Sequence, residues 1–196
     1  ADRARTLYDV MGSALEMSGG SAANTLAGLA SLGGSGAYIG KVRNDQLGGV
    51  FSHDLQAIGV DYRTAAAHSG PPTARCLIFV TPDAQRPMQT YLGISVEIGL
   101  ADIDEAAIRD AAVPYLEGYL FDREEAKEAF VHAAEIAHAA GRKVALTLSD
   151  PFCVNRHRDA FQDLVRDHVD ILFANEAEIK ALWETENYEE AVAITR

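Results

Sequence analysis

The sequence predicts an α/β protein in which helices cover both faces of a mostly parallel β-sheet. Short apolar runs alternate with segments of helical periodicity along most of the chain, which is the pattern of strand–helix–strand units. Turn-forming residues, such as Gly59 and the Pro71–Pro72 pair, fall between these segments. With 196 residues, 48% of them hydrophobic, the chain is long enough to bury one sizeable core.

The first predicted element is an amphipathic helix that follows two glycines. Residues Gly19–Gly33 read Gly-Gly-Ser-Ala-Ala-Asn-Thr-Leu-Ala-Gly-Leu-Ala-Ser-Leu-Gly. Ser21 is interpreted as the N-cap of this helix. The residues expected to anchor it to a core recur at helical spacing: Leu26, Leu29, Ala30 and Gly33.

The remaining elements follow in alternating order. Apolar runs bounded by turn residues predict strands over 37–42, 75–81, 86–92, 115–120, 143–149 and 170–173. Apolar residues spaced by three and four predict helices over 46–58, 124–140, 159–167 and 176–183. The second and third strands form a hairpin around a turn at 82–85. In a parallel sheet of this kind, the ligand site is expected outside the carboxyl ends of the strands.

Charge and composition restrict the class of partner. The formal net charge is -12, and no block of Lys or Arg could follow a phosphate backbone. We therefore expect neither nucleic acid nor a membrane as partner, and the absence of a long apolar run favours a cytoplasmic protein. Cys76 and Cys153 lack the spacing of a metal site and are expected to be reduced, buried thiols. The six scattered histidines are expected at the surface.

The glycine-led helix start has the residue types that a hydroxyl-rich ligand requires. Gly19 and Gly20 let a ligand approach the backbone closely, and Ser21 opens the helix whose first N–H groups can donate to that ligand. Asn24 carries both a donor and an acceptor, as reading adjacent sugar hydroxyls demands. The alternative interpretation is a tight Gly-Gly turn with Asn24 as a second cap.

The order of these residues resembles the first signature of the ribokinase-like (PfkB) carbohydrate kinase family. The resemblance comprises the Gly-Gly pair, Asn24, a glycine after the helix, a strand, and the turn Asp45-Gln46-Leu47-Gly48. Leu26 and Arg43 depart from the common pattern, and Gly-Gly-Ser-x-x-Asn followed by a large apolar residue is closer to the adenosine kinase branch. The resemblance implies a ribokinase-like, doubly wound fold, ATP and Mg²⁺ as cofactors, and a nucleoside, adenosine first, or a sugar as acceptor.

A second motif begins the helix that follows the last predicted strand. Asn175 and Glu178 form an Asn-x-x-Glu sequence directly after the run Asp-Ile-Leu-Phe. The residues by themselves predict a capping box. The resemblance implies that the same pair also orders Mg²⁺ and its waters near the phosphates, and the two interpretations are compatible.

Further site residues are implied by the resemblance. The hairpin at about 73–93 is similar to the β lid that covers the sugar in this family, and Met88 and Cys76 are expected on its apolar, ligand-facing side. Arg86 is a possible phosphate contact, or else a surface arginine beside a turn. Glu117 corresponds to an acid that accepts a hydrogen bond from the sugar, or else faces solvent. For Phe152, near the substrate or nucleotide in relatives, core packing is the simpler expectation.

The second family signature is not found in this sequence. No Gly-x-Gly-Asp follows Gly99, so the anion hole and the general base that receives the hydroxyl proton are expected in a missing C-terminal segment. We therefore interpret residues 1–196 as a partial ribokinase-like domain, monomeric or homodimeric, that also lacks the first strand. The alternative is a catalytically inactive binding module for a sugar or nucleoside. A dinucleotide-binding dehydrogenase is disfavoured, because no Gly-x-Gly-x-x-Gly follows a strand.

Overall fold

The computed structural model describes residues 2–196, which divide into two compact units with the boundary between Val96 and Glu97. The first unit contains helices α1 (Asp2–Val10), α2 (Ser21–Ser31) and α3 (Gln46–Ala57), and strands β1 (Ala37–Tyr38), β2 (Asp61–Tyr62), β3 (Arg75–Ile78) and β4 (Met88–Tyr91). The second contains helices α4 (Glu105–Asp110), α5 (Glu124–Ala139), α6 (Pro151–Arg156), α7 (Arg158–His168), α8 (Glu176–Trp183) and α9 (Tyr188–Thr195), and strands β5 (Tyr115–Glu117), β6 (Ala145–Thr147) and β7 (Ile171–Phe173).

An aromatic cluster forms the centre of the first unit. Strands β1 and β2 pair in parallel, which places Tyr38 beside Tyr62. Phe51 of α3 completes an edge-to-face trio whose ring centroids lie 5.4 to 5.9 Å apart, a favourable geometry for aromatic rings. Ala23 of α2 is buried in the same core, and Leu26 packs against it. The expected anchor Leu29 is instead 42% exposed, so that part of the prediction is wrong.

Strands β3 and β4 form the predicted antiparallel hairpin. Cys76 is opposite Thr90, and Ile78 is opposite Met88. Both strands are shorter than predicted, because beyond Ile78 only single backbone bonds continue the pairing toward the turn. Ala84 in that turn adopts a φ of 63°.

The second unit is built on a three-stranded parallel sheet in the order β5–β6–β7. Helix α5 buries a face of small residues that includes Ala126, Ala133 and Ala137, so it approaches its neighbours closely. Phe121 stacks on Phe161 of α7 with 4.1 Å between ring centroids. Each strand is shorter than predicted, and the chain after Glu117 turns into a 3₁₀ helix over Gly118–Asp122.

Several elements were not predicted from the sequence. Helices α1, α4, α6 and α9 and strand β2 are absent from the predictions, whereas the bounds of α8 coincide with the predicted 176–183. Most of these are short, and β2 has only two residues, so none carries a clear periodic signal. Within residues 2–196, every helix is too short or too polar to cross a lipid bilayer.

Candidate functional site

The start of α2 is open rather than capped. Gly20, not Ser21, is the N-cap residue, and the structure shows no side-chain capping hydrogen bond at this residue. The interpretation of Ser21 as N-cap is therefore wrong: it is the first helical residue. Because the first turn of a helix leaves its N–H groups without intrahelical acceptors, this end offers donors. Gly19, Gly20, Ser21 and Asn24 are all exposed.

The two glycines shape this opening in different ways. Gly20 has φ 109° and ψ 142°, a conformation that residues with a Cβ adopt only under strain. A Cβ at Gly19 would lie 4.0 Å from Oδ1 of Asn24, so the Asn24 amide lies beside Gly19. The structure thus brings together the glycines and Asn24 that the sequence singled out.

One face of the hairpin presents Cys76, Ile78, Met88 and Thr90 to solvent. Opposite residues in an antiparallel pair share a face, and these four form two such pairs. Sγ of Cys76 lies 3.3 Å from Oγ1 of Thr90, while Ile78 and Met88 are 49% and 54% exposed. Met88 and Cys76 therefore lie on the same exposed face of the hairpin, with an apolar pair at Ile78 and Met88 beside the pair Cys76 and Thr90. The expectation that Cys76 is buried is wrong, and that for Cys153 is confirmed.

Arg86 lies outside β4, in the segment between the turn and the strand. Backbone bonds from Phe79 to Pro87 and from Thr81 to Gln85 continue the hairpin register, which puts Arg86 opposite Val80. That position shares the face of Met88, so the exposed Arg86 carries the positive charge of the hairpin tip. The prediction that Arg86 begins a regular strand is wrong, since β4 begins at Met88.

The Asp45-x-x-Gly48 turn joins α3 to the base of the hairpin. Asp45 caps α3 by accepting the Gly48 N–H at 2.9 Å, and it also accepts the backbone N–H and hydroxyl of Thr73 at 3.0 and 2.7 Å. Partial burial alone would raise the pKa of Asp45, but the hydrogen bonds from Thr73 and Gly48 lower it. Sequence reasoning missed Thr73, because nothing local distinguishes this threonine.

Glu117 ends β5 at the carboxyl edge of the second unit's sheet. It is half-buried and in register with Thr147 of β6, which is in turn beside Phe173 of β7. Burial, followed by the carboxylates of Asp150 and Glu117, raises the pKa of Tyr119. Acidic groups from two neighbouring strand ends therefore both act on Tyr119 at this edge, where the fold class places ligands.

Asn175 and Glu178 form a complete capping box at the start of α8. Oδ1 of Asn175 accepts the Glu178 N–H at 2.9 Å, while Oε2 of Glu178 accepts the Asn175 N–H at 3.0 Å. The Asn175 amide also donates to Oε1 of Glu178 at 2.8 Å. Glu178 is only 7% exposed, so these bonds compensate the burial of its charge. The capping prediction is confirmed.

The acidic and amide groups of the second unit fit a hydrated magnesium ion better than a chelated one. In residues 2–196, no three His, Cys, Asp or Glu side chains are grouped closely enough to hold a metal directly. Mg²⁺ usually keeps several waters and takes one or two carboxylates plus phosphate oxygens. The Glu178 carboxylate, fixed by Asn175, is an acceptor of the kind that would order such waters.

The loop after β6 contains a strained serine and an exposed aromatic residue. Ser149 has a φ of 69°, which is unfavourable for a residue with a Cβ. Asp150 then caps α6 by accepting the Phe152 N–H at 2.7 Å. Phe152 is 75% exposed, so the expectation of core packing for Phe152 is wrong, because the short helix α6 buries Cys153 and Val154 instead.

Comparison with known proteins identifies the family. The model for pfkB family carbohydrate kinases matches residues 12–196, and the chain belongs to this family. It is 53% identical to an adenosine kinase structure from Sinorhizobium meliloti, with a TM-score of 0.93, covering 99% of this chain and 60% of that one. A probable sugar kinase structure from Rhizobium etli CFN 42 matches with the same identity and TM-score, covering 99% of this chain and 59% of that one.

A curated relative is more distant. The chain is 32% identical over 168 residues to an ATP-dependent ribose-1-phosphate kinase from Halopiger xanaduensis, covering 86% of this chain and 53% of that protein. The chain thus spans between half and three fifths of the length of these three proteins. The fold is ribokinase-like α/β, and the chain is part of a kinase family, as the sequence predicted.

Proposed function

We propose that this protein transfers a phosphoryl group from ATP to the hydroxymethyl group of a nucleoside, with adenosine the preferred acceptor. The observation that carries the proposal is the open start of α2, where bare backbone donors and the Asn24 amide lie together at an exposed surface. The 53% identity to the structure titled an adenosine kinase supports the choice of acceptor.

The first unit would hold the acceptor. Neutral donors and an amide suit vicinal hydroxyls of a ribose, because each hydroxyl needs both a donor and an acceptor. Gly20 and Ser21 supply backbone N–H groups, and Asn24 supplies a side chain that does both. The absence of a cationic side chain among these residues favours an uncharged sugar part over a phosphate at this point.

The hairpin would cover the acceptor and exclude water. Its exposed face has a small polar pair at Cys76 and Thr90 and an apolar pair at Ile78 and Met88, with Arg86 toward the tip. The apolar pair is suited to the face of a base. A guanidinium binds phosphate oxygens bidentately, and excluding water prevents hydrolysis of ATP before the hydroxyl attacks.

The second unit would supply the magnesium-ordering groups. Magnesium ions bound to ATP neutralise charge that develops on the transferred phosphoryl group. Glu178 would hold waters of such an ion, and Asn175 would fix the carboxylate in place through the two bonds that its backbone N–H and its amide donate to it. Glu117, at the carboxyl end of β5 in the same unit, would accept a hydrogen bond from a ligand hydroxyl at this edge.

A sugar is the second candidate acceptor. The relative named a ribose-1-phosphate kinase and the structure titled a probable sugar kinase both support it. In this case the apolar pair of the hairpin would cover a sugar ring with no base to contact. A nucleoside and a sugar are therefore distinguished by whether the base adds affinity.

Calorimetric titration of the chain with adenosine, ribose and ribose 1-phosphate tests the proposal. We expect adenosine to bind more tightly than ribose, and a longer form, extended to the length of the matched kinases, to produce ADP with adenosine. Binding without turnover in that longer form supports an inactive binding module instead. If none of the three compounds binds, the proposed acceptor site is wrong.

Asn24→Leu tests whether the Asn24 amide contributes to adenosine binding. Asn24 is exposed, so the change should leave α2 folded while removing the amide. Loss of hydrogen bonds in a site built for hydroxyls is expected to lower adenosine affinity by about a hundredfold. Ser31→Leu, at the other end of α2 and also exposed, is the matched control and should bind as the unmodified chain does.

A further inference from the structure

Thr73 is the buried threonine at the point where the chain enters the hairpin. It is 5% exposed and lies two residues before β3. Its hydroxyl donates to Asp45 at 2.7 Å and accepts the Arg43 N–H at 3.0 Å, and its own N–H donates to Asp45 at 3.0 Å. One side chain therefore fixes the entry strand to the N-terminus of α3.

Gly48 makes room for this arrangement. A Cβ at Gly48 would lie 2.0 Å from the Arg43 carbonyl oxygen and 3.0 Å from Oγ1 of Thr73. Side chains essentially never approach backbone so closely, so only glycine allows α3 to begin directly against Arg43 and Thr73. Contact between this turn and the hairpin base therefore requires both Asp45 and Gly48.

The exit from the hairpin is held at the same place. Ile94 donates its N–H to the Pro72 carbonyl oxygen at 3.1 Å. Gly93 has a φ of +54°, and a Cβ there would lie 2.1 Å from that same oxygen. The entry into the hairpin is therefore fixed at Pro72–Thr73 and the exit from it at Gly93–Ile94. Farther along the hairpin, by contrast, Met88 and Ile78 are about half exposed.

We propose that Asp45 and Thr73 are positioning residues that set the orientation of the hairpin over its ligand. Neither would touch the acceptor or ATP. Their bonds, which we call the clamp, hold the hairpin base against α3. Movement is therefore confined to the part of the hairpin beyond the clamp, and the face of Cys76 and Met88 is presented in one direction. For the identity of the ligand, this inference rests on the proposed function. For the clamp itself, it rests on contacts within the first unit.

Thr73→Val and Thr73→Ser separate positioning from general stability. Valine keeps the shape and removes the hydroxyl, whereas serine keeps the hydroxyl. Thr64→Val, in the same unit, is the matched control, because the bond that its hydroxyl accepts from the Gly40 N–H is long, at 3.4 Å. Asp45→Asn is a second test, because asparagine still caps α3 but loses the second carboxylate oxygen that accepts from Thr73.

Amide hydrogen exchange of the hairpin peptides and acceptor titration are the two measurements. We expect Thr73→Val to speed amide exchange in residues 75–91 by about tenfold, with little change in residues 46–57. The reason is that loss of one hydrogen bond to a charged group should shift the local opening equilibrium of the hairpin toward the open state. Adenosine affinity, and the KM for it in the longer form, should weaken by about tenfold with kcat less affected. Thr73→Ser should restore both.

Two results would overturn the proposal. One is exchange and affinity in Thr73→Val equal to those of Thr64→Val. The other is faster exchange spread equally over α3 and the hairpin, which is a stability effect only. Should Thr73→Val fail to fold, Asp45→Asn decides by the same criteria. If the unmodified chain binds no acceptor, the proposed function fails, and the exchange measurements still decide the role of the clamp.

Discussion

The helix starts of α2 and α8 each carry an asparagine in or beside the first turn, and yet they differ in what they offer a ligand. The start of α2 has a bare glycine as N-cap with Asn24 exposed, whereas the start of α8 is closed by reciprocal bonds between Asn175 and Glu178. An open start has unused N–H donors for direct contact. The closed start uses the N–H groups of Asn175 and Glu178 in bonds to its own side chains, so the remaining carboxylate lone pairs of Glu178 are its main groups for a ligand.

The difference predicts separate roles for the two starts. Changes at α2 should alter acceptor affinity, and changes at α8 should alter the response to magnesium. The structural cost of each change should also differ, because α2 depends on a backbone conformation that requires Gly20, and α8 depends on side-chain bonds.

The largest expected effect follows Glu178→Gln. The amide keeps one oxygen for the Asn175 N–H but removes the charge that would hold magnesium-bound waters. In the longer form of the protein, we expect about a tenfold to hundredfold higher magnesium requirement or lower activity, the range for groups that orient metal ligands. Glu176→Gln, exposed on the same turn, is the control. A matching loss of adenosine affinity in Glu178→Gln would contradict separate roles.

The conformation of Gly20 predicts the next effect. Gly20→Ala places a residue with a Cβ at φ 109° and ψ 142°. Urea unfolding should therefore show a free energy of unfolding lower by about 1–3 kcal/mol. Gly28 lies within the same helix and has open space where an added Cβ would stand. Gly28→Ala should therefore raise the free energy of unfolding by about 0.5–1 kcal/mol. Equal stability of the two variants would show that the open start is not a strained position.

Asn175→Ala measures the cap of α8 alone. The change removes the acceptor of the Glu178 N–H and the donor to its carboxylate. Loss of such a cap costs about 1 kcal/mol, observed as a lower urea midpoint. Adenosine affinity should stay unchanged, and a tenfold loss there would place Asn175 in the acceptor site instead.

The smallest effect concerns pH and another polar helix start, that of α3 at Asp45. Hydrogen bonds hold the pKa of Asp45 below its ordinary value of 3.8. A lowered folded-state pKa contributes stability above the unfolded value, and this contribution is lost as pH falls below about 3.8 through the folded-state pKa. The stability gap between the unmodified chain and Asp45→Asn, measured by urea unfolding, should therefore narrow on acidification. A gap that widens in acid would contradict the assignment.

The sequence was most informative where signals extended over many residues. Alternating apolar runs predicted the three parallel strands of the second unit, and the periodic apolar residues of 176–183 gave the bounds of α8. Short elements such as the two-residue β2 have no such signal. Strand ends were placed too far along the chain, because apolar residues after Glu117 and Thr147 continue in turns rather than strands.

Within the site, local chemistry was predictable and long-range contact was not. The Asn-x-x-Glu spacing predicted the capping box because both partners are on one turn. The choice between Gly20 and Ser21 as N-cap depends on a backbone angle that the residue types do not determine. The bond between Asp45 and Thr73 joins residues 28 positions apart, and the exposure of Phe152 depends on how α6 packs. Neither is encoded in a local pattern.

An amide-resolved NMR titration of the ¹⁵N-labelled chain with adenosine measures whether the start of α2 binds the acceptor. If the open start of α2 binds the acceptor, the amide signals of Gly20, Ser21 and Ala22 should shift and saturate, and those of Asn175 to Ala177 should change less. Saturating adenosine that leaves the α2 signals in place while signals elsewhere shift, or that moves no signal, would show that the acceptor does not bind at this helix start.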